Sequence, residues 1–158
     1  MMVPLLLAAI LPAAPPCRAA ALRVGLDGKD GDFNGMSHSG TLVVFRNQGR
    51  RACTLPPLPR ILMLDRRGRL LPIARAVTTD QGMGAAPLTL RPGMAASTPL
   101  RWVSGPVFDH SRCYWAAGLA VKVPPRFVTI RITATICGEA GRTARFEQPP
   151  LGLLKQGS

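Results

Sequence analysis

The sequence predicts an all-β fold, a single antiparallel sandwich of about seven to nine strands. Its 16 glycines and 16 prolines are scattered through 158 residues, and they leave few windows long enough for a stable helix. Apolar residues recur at period two, the spacing of a half-buried strand. Turn residues separate these stretches at short intervals.

Each element follows from one of these signals. Leu22-Val24-Leu26 and Leu119-Val121-Val123 alternate with polar or small neighbours. The longest alternation is Val128-Ile130-Ile132-Ala134-Ile136, with Thr129, Arg131, Thr133 and Thr135 on the opposite face. Residues 41–45 (TLVVF) and 61–64 (ILML) are apolar runs too short for helices, which predicts strands buried in the middle of the sandwich. Asn47-Gln48-Gly49, Pro56-Pro57, Arg67-Gly68, Arg91-Pro92-Gly93 and Pro124-Pro125 mark the turns. Residues 151–158 read as a frayed tail on one domain covering residues 15–158.

Residues 1–14 (MMVPLLLAAILPAA) hold an apolar core of signal-peptide length, shorter than a bilayer span. A cleaved export signal is expected, with cleavage near Ala13 or Ala14 preferred over the alternative at Ala19-Ala20-Ala21. Ala14-Pro15-Pro16 before Cys17 is unlike a lipoprotein signal. The expected location is therefore periplasmic or secreted, with no transmembrane segment. The four cysteines, Cys17, Cys53, Cys113 and Cys137, form no C-x-x-C pair, so disulfides are favoured over a zinc or redox site. Alternating strand directions bring Cys17 near Cys53 and place Cys113 and Cys137 at the open end of a second hairpin. This predicts the pairs Cys17–Cys53 and Cys113–Cys137, one of three possible connectivities.

The ordered residues resemble a known family. Cys17 is followed by Leu42-Val43-Val44-Phe45-Arg46-Asn47-Gln48-Gly49, Ala52-Cys53-Thr54-Leu55, Leu90-Arg91-Pro92-Gly93-Met94-Ala95, Leu100-Arg101-Trp102, Cys113, Lys122-Val123-Pro124-Pro125 and Ile136-Cys137-Gly138. This series is similar to the exported bacterial domain of unknown function 4232. The resemblance implies an immunoglobulin-like β-sandwich in envelope or secreted proteins, without established catalytic residues. It supports the fold more than any activity.

Charge is the largest functional signal. Lysine and arginine number 20 against 8 acids, a net charge of +12. Arg46, Arg50, Arg51, Arg60, Arg66, Arg67, Arg69 and Arg75 fall in one stretch with a single acid, Asp65. Asp65-Arg66-Arg67-Gly68-Arg69 is expected to form a hairpin tip whose guanidinium groups can fork onto phosphate or carboxylate. The anionic-partner candidates are Arg50, Arg51, Arg60, Arg66, Arg67 and Arg69, facing an envelope polyanion or an acidic protein. A G+C-rich genome that spells its surface cations as arginine is the plain competing account. Nucleic acid is disfavoured by export and by an aromatic content of only 5%.

Two weaker patterns suggest a periplasmic metal-binding protein as the alternative. Asp30-Gly31-Asp32-Phe33-Asn34-Gly35 resembles the first half of a calcium loop, but Thr41 stands where the closing glutamate belongs. Met36 and His38, with Met83 and Met94, offer soft donors for copper. Asp109-His110-Ser111-Arg112-Cys113 gathers reactive types, but neighbours in sequence point apart and Cys113 is expected to be oxidised. The expectation is a non-enzymatic binding module with no cofactor.

Overall fold

A computed structural model describes residues 11–76 and 84–155. Eleven strands follow in order: β1 (Leu22–Asp27), β2 (His38–Asn47), β3 (Cys53–Leu55), β4 (Ile61–Leu64), β5 (Ile73–Arg75), β6 (Leu88–Leu90), β7 (Ala95–Val103), β8 (Ser111–Val123), β9 (Arg126–Glu139), β10 (Ala144–Glu147) and β11 (Gly152–Leu153). The only helical element among the described residues is a 3-10 turn at Lys29–Gly31.

The larger sheet runs β1-β2-β7-β10-β5, and β11 also pairs with β7. A second sheet runs β4-β8-β9, and β3 pairs with β6 alone. Side chains of both main sheets meet in one core. Val43, Phe45, Leu100, Trp102 and Phe146 come from the first, and Met63, Leu119, Val121, Val123 and Ile136 from the second. The chain is thus an all-β sandwich.

Several expectations change. The sandwich is mixed, because β5 and β10 pair in parallel while the other pairs within the named sheets are antiparallel. β4, expected in the middle, is an edge strand buried only at alternate positions. β8 begins at Ser111, well before the predicted Leu119. Residues 151–154 are no frayed tail: Leu151 is buried, its N–H donates to the Pro57 carbonyl (2.8 Å), and the Leu154 N–H donates to the Ala95 carbonyl (2.9 Å). Residues 156–158, like residues 1–10 of the expected signal, lie outside the described residues.

Both disulfides have the pairing expected from strand alternation. Cys17–Cys53 closes one end, where the Cys17 N–H donates to the Thr54 carbonyl and the Thr54 N–H to the Pro15 carbonyl, each at 2.8 Å. Cys113–Cys137 joins directly opposed residues of the β8–β9 ladder, two residue pairs in from its open end. Two such bonds mark a chain that folds in an oxidising compartment.

The family-like motifs have a structural explanation centred on Asn47, which is fully buried. Its Nδ2 donates to the Leu90 carbonyl (2.9 Å) and the Arg51 carbonyl (2.8 Å), while its Oδ1 accepts the Gly49 N–H (2.9 Å). Its backbone carbonyl accepts the Gly93 N–H (2.8 Å), and its own N–H donates to the Met94 carbonyl (3.0 Å). One residue therefore ties the turn after β2 to the end of β6 through its side chain and to the β6–β7 turn through its backbone. A Cβ on Gly49 would meet Ala21 Cβ at 3.0 Å, and Gly93 has φ +81°, so both positions favour glycine.

Candidate functional site

The metal-ligand candidates do not converge. Asp30 lies in the 3-10 turn with φ 53°. Asn34 Oδ1 already accepts the Ser39 hydroxyl at 2.8 Å. Met36 is fully exposed, and His38 Nδ1 lies 3.3 Å from the Ser37 hydroxyl. His38 and Met94 lie at opposite ends of β2, since His38 pairs with Val103 and Arg46 with Ala95. That separation is about 27 Å at ordinary strand rise. Met83 falls outside the described residues. Among the described residues, no three of the His, Cys, Asp and Glu side chains gather as a metal site would require. The reactive set around His110 is likewise dispersed, with Cys113 in a disulfide and the Ser111 hydroxyl bonded to the Phe108 backbone.

The arginine stretch folds into separate groups rather than one face. Arg50 and Arg51 sit between β2 and β3, near the Cys17–Cys53 end. Arg60 precedes β4, and Arg66, Arg67 and Arg69 follow it. A four-residue strand therefore divides them, about 13 Å long.

Residues 65–69 do form a tight tip. The Gly68 N–H donates to the Asp65 carbonyl (3.0 Å) and the Asp65 N–H to the Arg69 carbonyl (2.9 Å). Asp65 Oδ1 accepts the N–H groups of Arg67 (2.8 Å) and Arg69 (2.9 Å), and Oδ2 accepts Arg69 Nε (3.0 Å). The Arg69 backbone N–H above all, with the Arg67 N–H and the Arg69 guanidinium, holds the Asp65 carboxyl below its usual range. Asp65 is thus occupied by the turn itself. Among the described residues no ion pair engages Arg66 or Arg67, and both are exposed.

Arg66 reaches back from this tip over the outer face of the β4–β8–β9 sheet. Its guanidinium carbon lies 5.9 Å from the centre of the Trp115 ring, within cation–π range. Trp115 is 66% exposed. Opposite it on β9 stands Thr135, followed along the same face by Thr133, Arg131 and Thr129. The strand register shifts between Ala116 and Gly118, and Gly118 then faces Arg131. Two adjoining hollows of about 360 and 400 Å³ share Arg66, Ala117, Ile132 and Thr133. Trp115 and Thr135 line the first, and Arg131 and Thr129 line the second.

Sequence reasoning supplied Arg66 but not Trp115 or Arg131 as partners. The available signal was a lone tryptophan in a segment continuous with the Leu119 alternation, together with an arginine on the threonine side of β9.

Fold and site together define a disulfide-stapled all-β domain that presents a cationic and aromatic sheet surface. Comparison then gives its family: residues 17–149 match Domain of unknown function (DUF4232), and the chain belongs to that family. No curated protein and no solved structure is a significant match. Among the described residues no helix is long and apolar enough to cross a membrane.

Proposed function

We propose that this chain is a non-enzymatic binding module of the cell envelope, periplasmic or secreted, that contacts anionic surfaces or an acidic partner. The supporting observation is the 65–69 tip, where the one acid is consumed by turn hydrogen bonds while Arg66 and Arg67 point free of any ion pair among the described residues. An exposed guanidinium pair of this kind recognises carboxylate or phosphate by forked hydrogen bonds. The signal-like residues 1–14 and the two disulfides support export.

Retention on heparin and on anionic vesicles tests the reading. The expected result is binding that weakens with salt, as exposed charges are screened, and that is lost in the triple variant Arg66→Ala, Arg67→Ala, Arg69→Ala. Equal retention of the variant and the parent would refute it. Export is checked by N-terminal sequencing of protein recovered from the envelope, expected to begin near Pro15; an unprocessed cytosolic chain would refute that part.

A further inference from the structure

We propose that the outer face of the β4–β8–β9 sheet binds an acidic polysaccharide, a chain of uronic-acid sugars. Trp115 serves as the stacking platform, and Arg66 and Arg131 anchor the carboxylates. The inference rests on the polyanion reading above and names its ligand class and a second set of residues.

The chemistry of the face selects this ligand. A sugar ring presents a face of C–H groups that packs on an indole, and Trp115 offers its ring to solvent beside an open hollow. Hydroxyl-rich ligands need hydrogen-bonding neighbours around that platform, and Thr129, Thr133 and Thr135 line the two hollows. Their floor is cleared by small residues, since Ala117 lines both and Gly118 lines the second. A neutral glycan would take only ordinary hydrogen bonds from Arg66 and Arg131, whereas a carboxylate on the sugar would form stronger charge-assisted pairs with either. Asp65, the one acid lining these hollows, is held by Arg69 and the turn. The hollows adjoin along the strands, so successive sugars can occupy both.

Other acidic partners fit less well. Besides alanines and threonines, the one large aliphatic side chain lining the Trp115 hollow is Ile132, which packs against the core, so the face lacks the cluster of exposed aliphatic side chains that would enter a bilayer. An extended peptide adds to a strand edge through its backbone, while this feature lies on the face of a sheet.

Calorimetric titration with hexagalacturonate, with a neutral galactose hexasaccharide as control, tests the assignment. The wild-type chain should bind the acidic oligomer and not the neutral one. Emission from exposed Trp115 should shift, while Trp102, 5% exposed, stays silent. Trp115→Ala and Arg131→Ala should each weaken hexagalacturonate binding by about tenfold or more, yet keep wild-type retention on anionic vesicles. Both side chains are exposed, so unchanged circular dichroism is expected. Absence of binding, or affinities in both variants equal to the parent's, overturns the glycan assignment. If retention on heparin and vesicles also ignores salt and the Arg67→Ala, Arg69→Ala double variant, the broader polyanion reading fails as well. Loss of the glycan dependence alone leaves that reading standing.

Discussion

Replacing Asn47 with aspartate changes one atom pair and tests the hub that joins two turns. The substitution retains the oxygen that accepts the Gly49 N–H, but sets a second oxygen against the Leu90 and Arg51 carbonyls, where Nδ2 now donates at 2.9 and 2.8 Å. The Leu90 bond is buried, so its orphaned carbonyl carries a cost of about 1–3 kcal/mol. The Arg51 bond is part-buried and regains some water. The expected loss at neutral pH is about 2–4 kcal/mol, a large part of a small domain's stability. Asn47→Ala should fall in the same range, since it removes all three hydrogen bonds. The aspartate variant has a further signature. A buried carboxyl facing carbonyls favours its protonated form, so its folded pKa rises above the unfolded value of about 3.9. The destabilisation is then largest at neutral pH and shrinks as pH falls toward that unfolded value, where the protonated acid can donate to one carbonyl. Urea denaturation of parent and variant at several pH values, read from the midpoint at unchanged m, measures the difference. A gap below about 1 kcal/mol that does not vary with pH would refute the role given to Asn47.

Three further outcomes follow from the same geometry. Serine replacement of Cys17 and Cys53, or of Cys113 and Cys137, opens a loop of sequence separation 36 or 24; each should cost about 3–4 kcal/mol in denaturation experiments in the chain-entropy account. Hydrogen exchange should accelerate at Cys17 and Thr54 in the first double variant, while the β8–β9 ladder stays protected in the second. The Asp65 carboxyl is held low by the N–H groups and guanidinium of the tip, so its contribution to turn order is present above the ordinary carboxylate range and lost as pH falls through its lowered value; carboxyl NMR titration should show this, and Asp65→Asn should loosen the tip at neutral pH. Truncation after Pro150 removes the buried Leu151 side chain and the β11 pairing with β7, and it should lower stability by about 1.5–3 kcal/mol from the leucine alone; unchanged thermal unfolding would show that this segment is dispensable.

What could be read in advance was local. The β9 alternation, the turns at Arg67-Gly68 and Arg91-Pro92-Gly93, and the cysteine pairing all follow from period-two patterning and strand reversal. What escaped was either non-local or locally irregular. The parallel pairing of β5 with β10 joins segments some seventy residues apart, and no nearby pattern encodes it. The first half of β8 is obscured by Ala116-Ala117-Gly118, poor strand formers lying where the register shifts. Trp115 and Arg131 approach Arg66 only after three strands are placed side by side. The arginine stretch misled in the opposite way, because proximity in sequence does not survive a strand running through its middle. The family-like segments around Asn47-Gln48-Gly49 and Leu90-Arg91-Pro92-Gly93 were legible as a pattern, but what joins them, Asn47, appears only in three dimensions.

The register irregularity between β8 and β9 bears on self-association. β9 is a 14-residue outer strand that, among the described residues, pairs only with β8, and a flat border of that length would recruit a second chain by backbone zippering. The register shift between the pairs Ala116↔Ala134 and Gly118↔Arg131 breaks the regularity of this border, and Arg131 sets a charge beside it. The register shift that lies beside the Trp115 hollow is therefore expected to lower the tendency of this border to pair with a second chain.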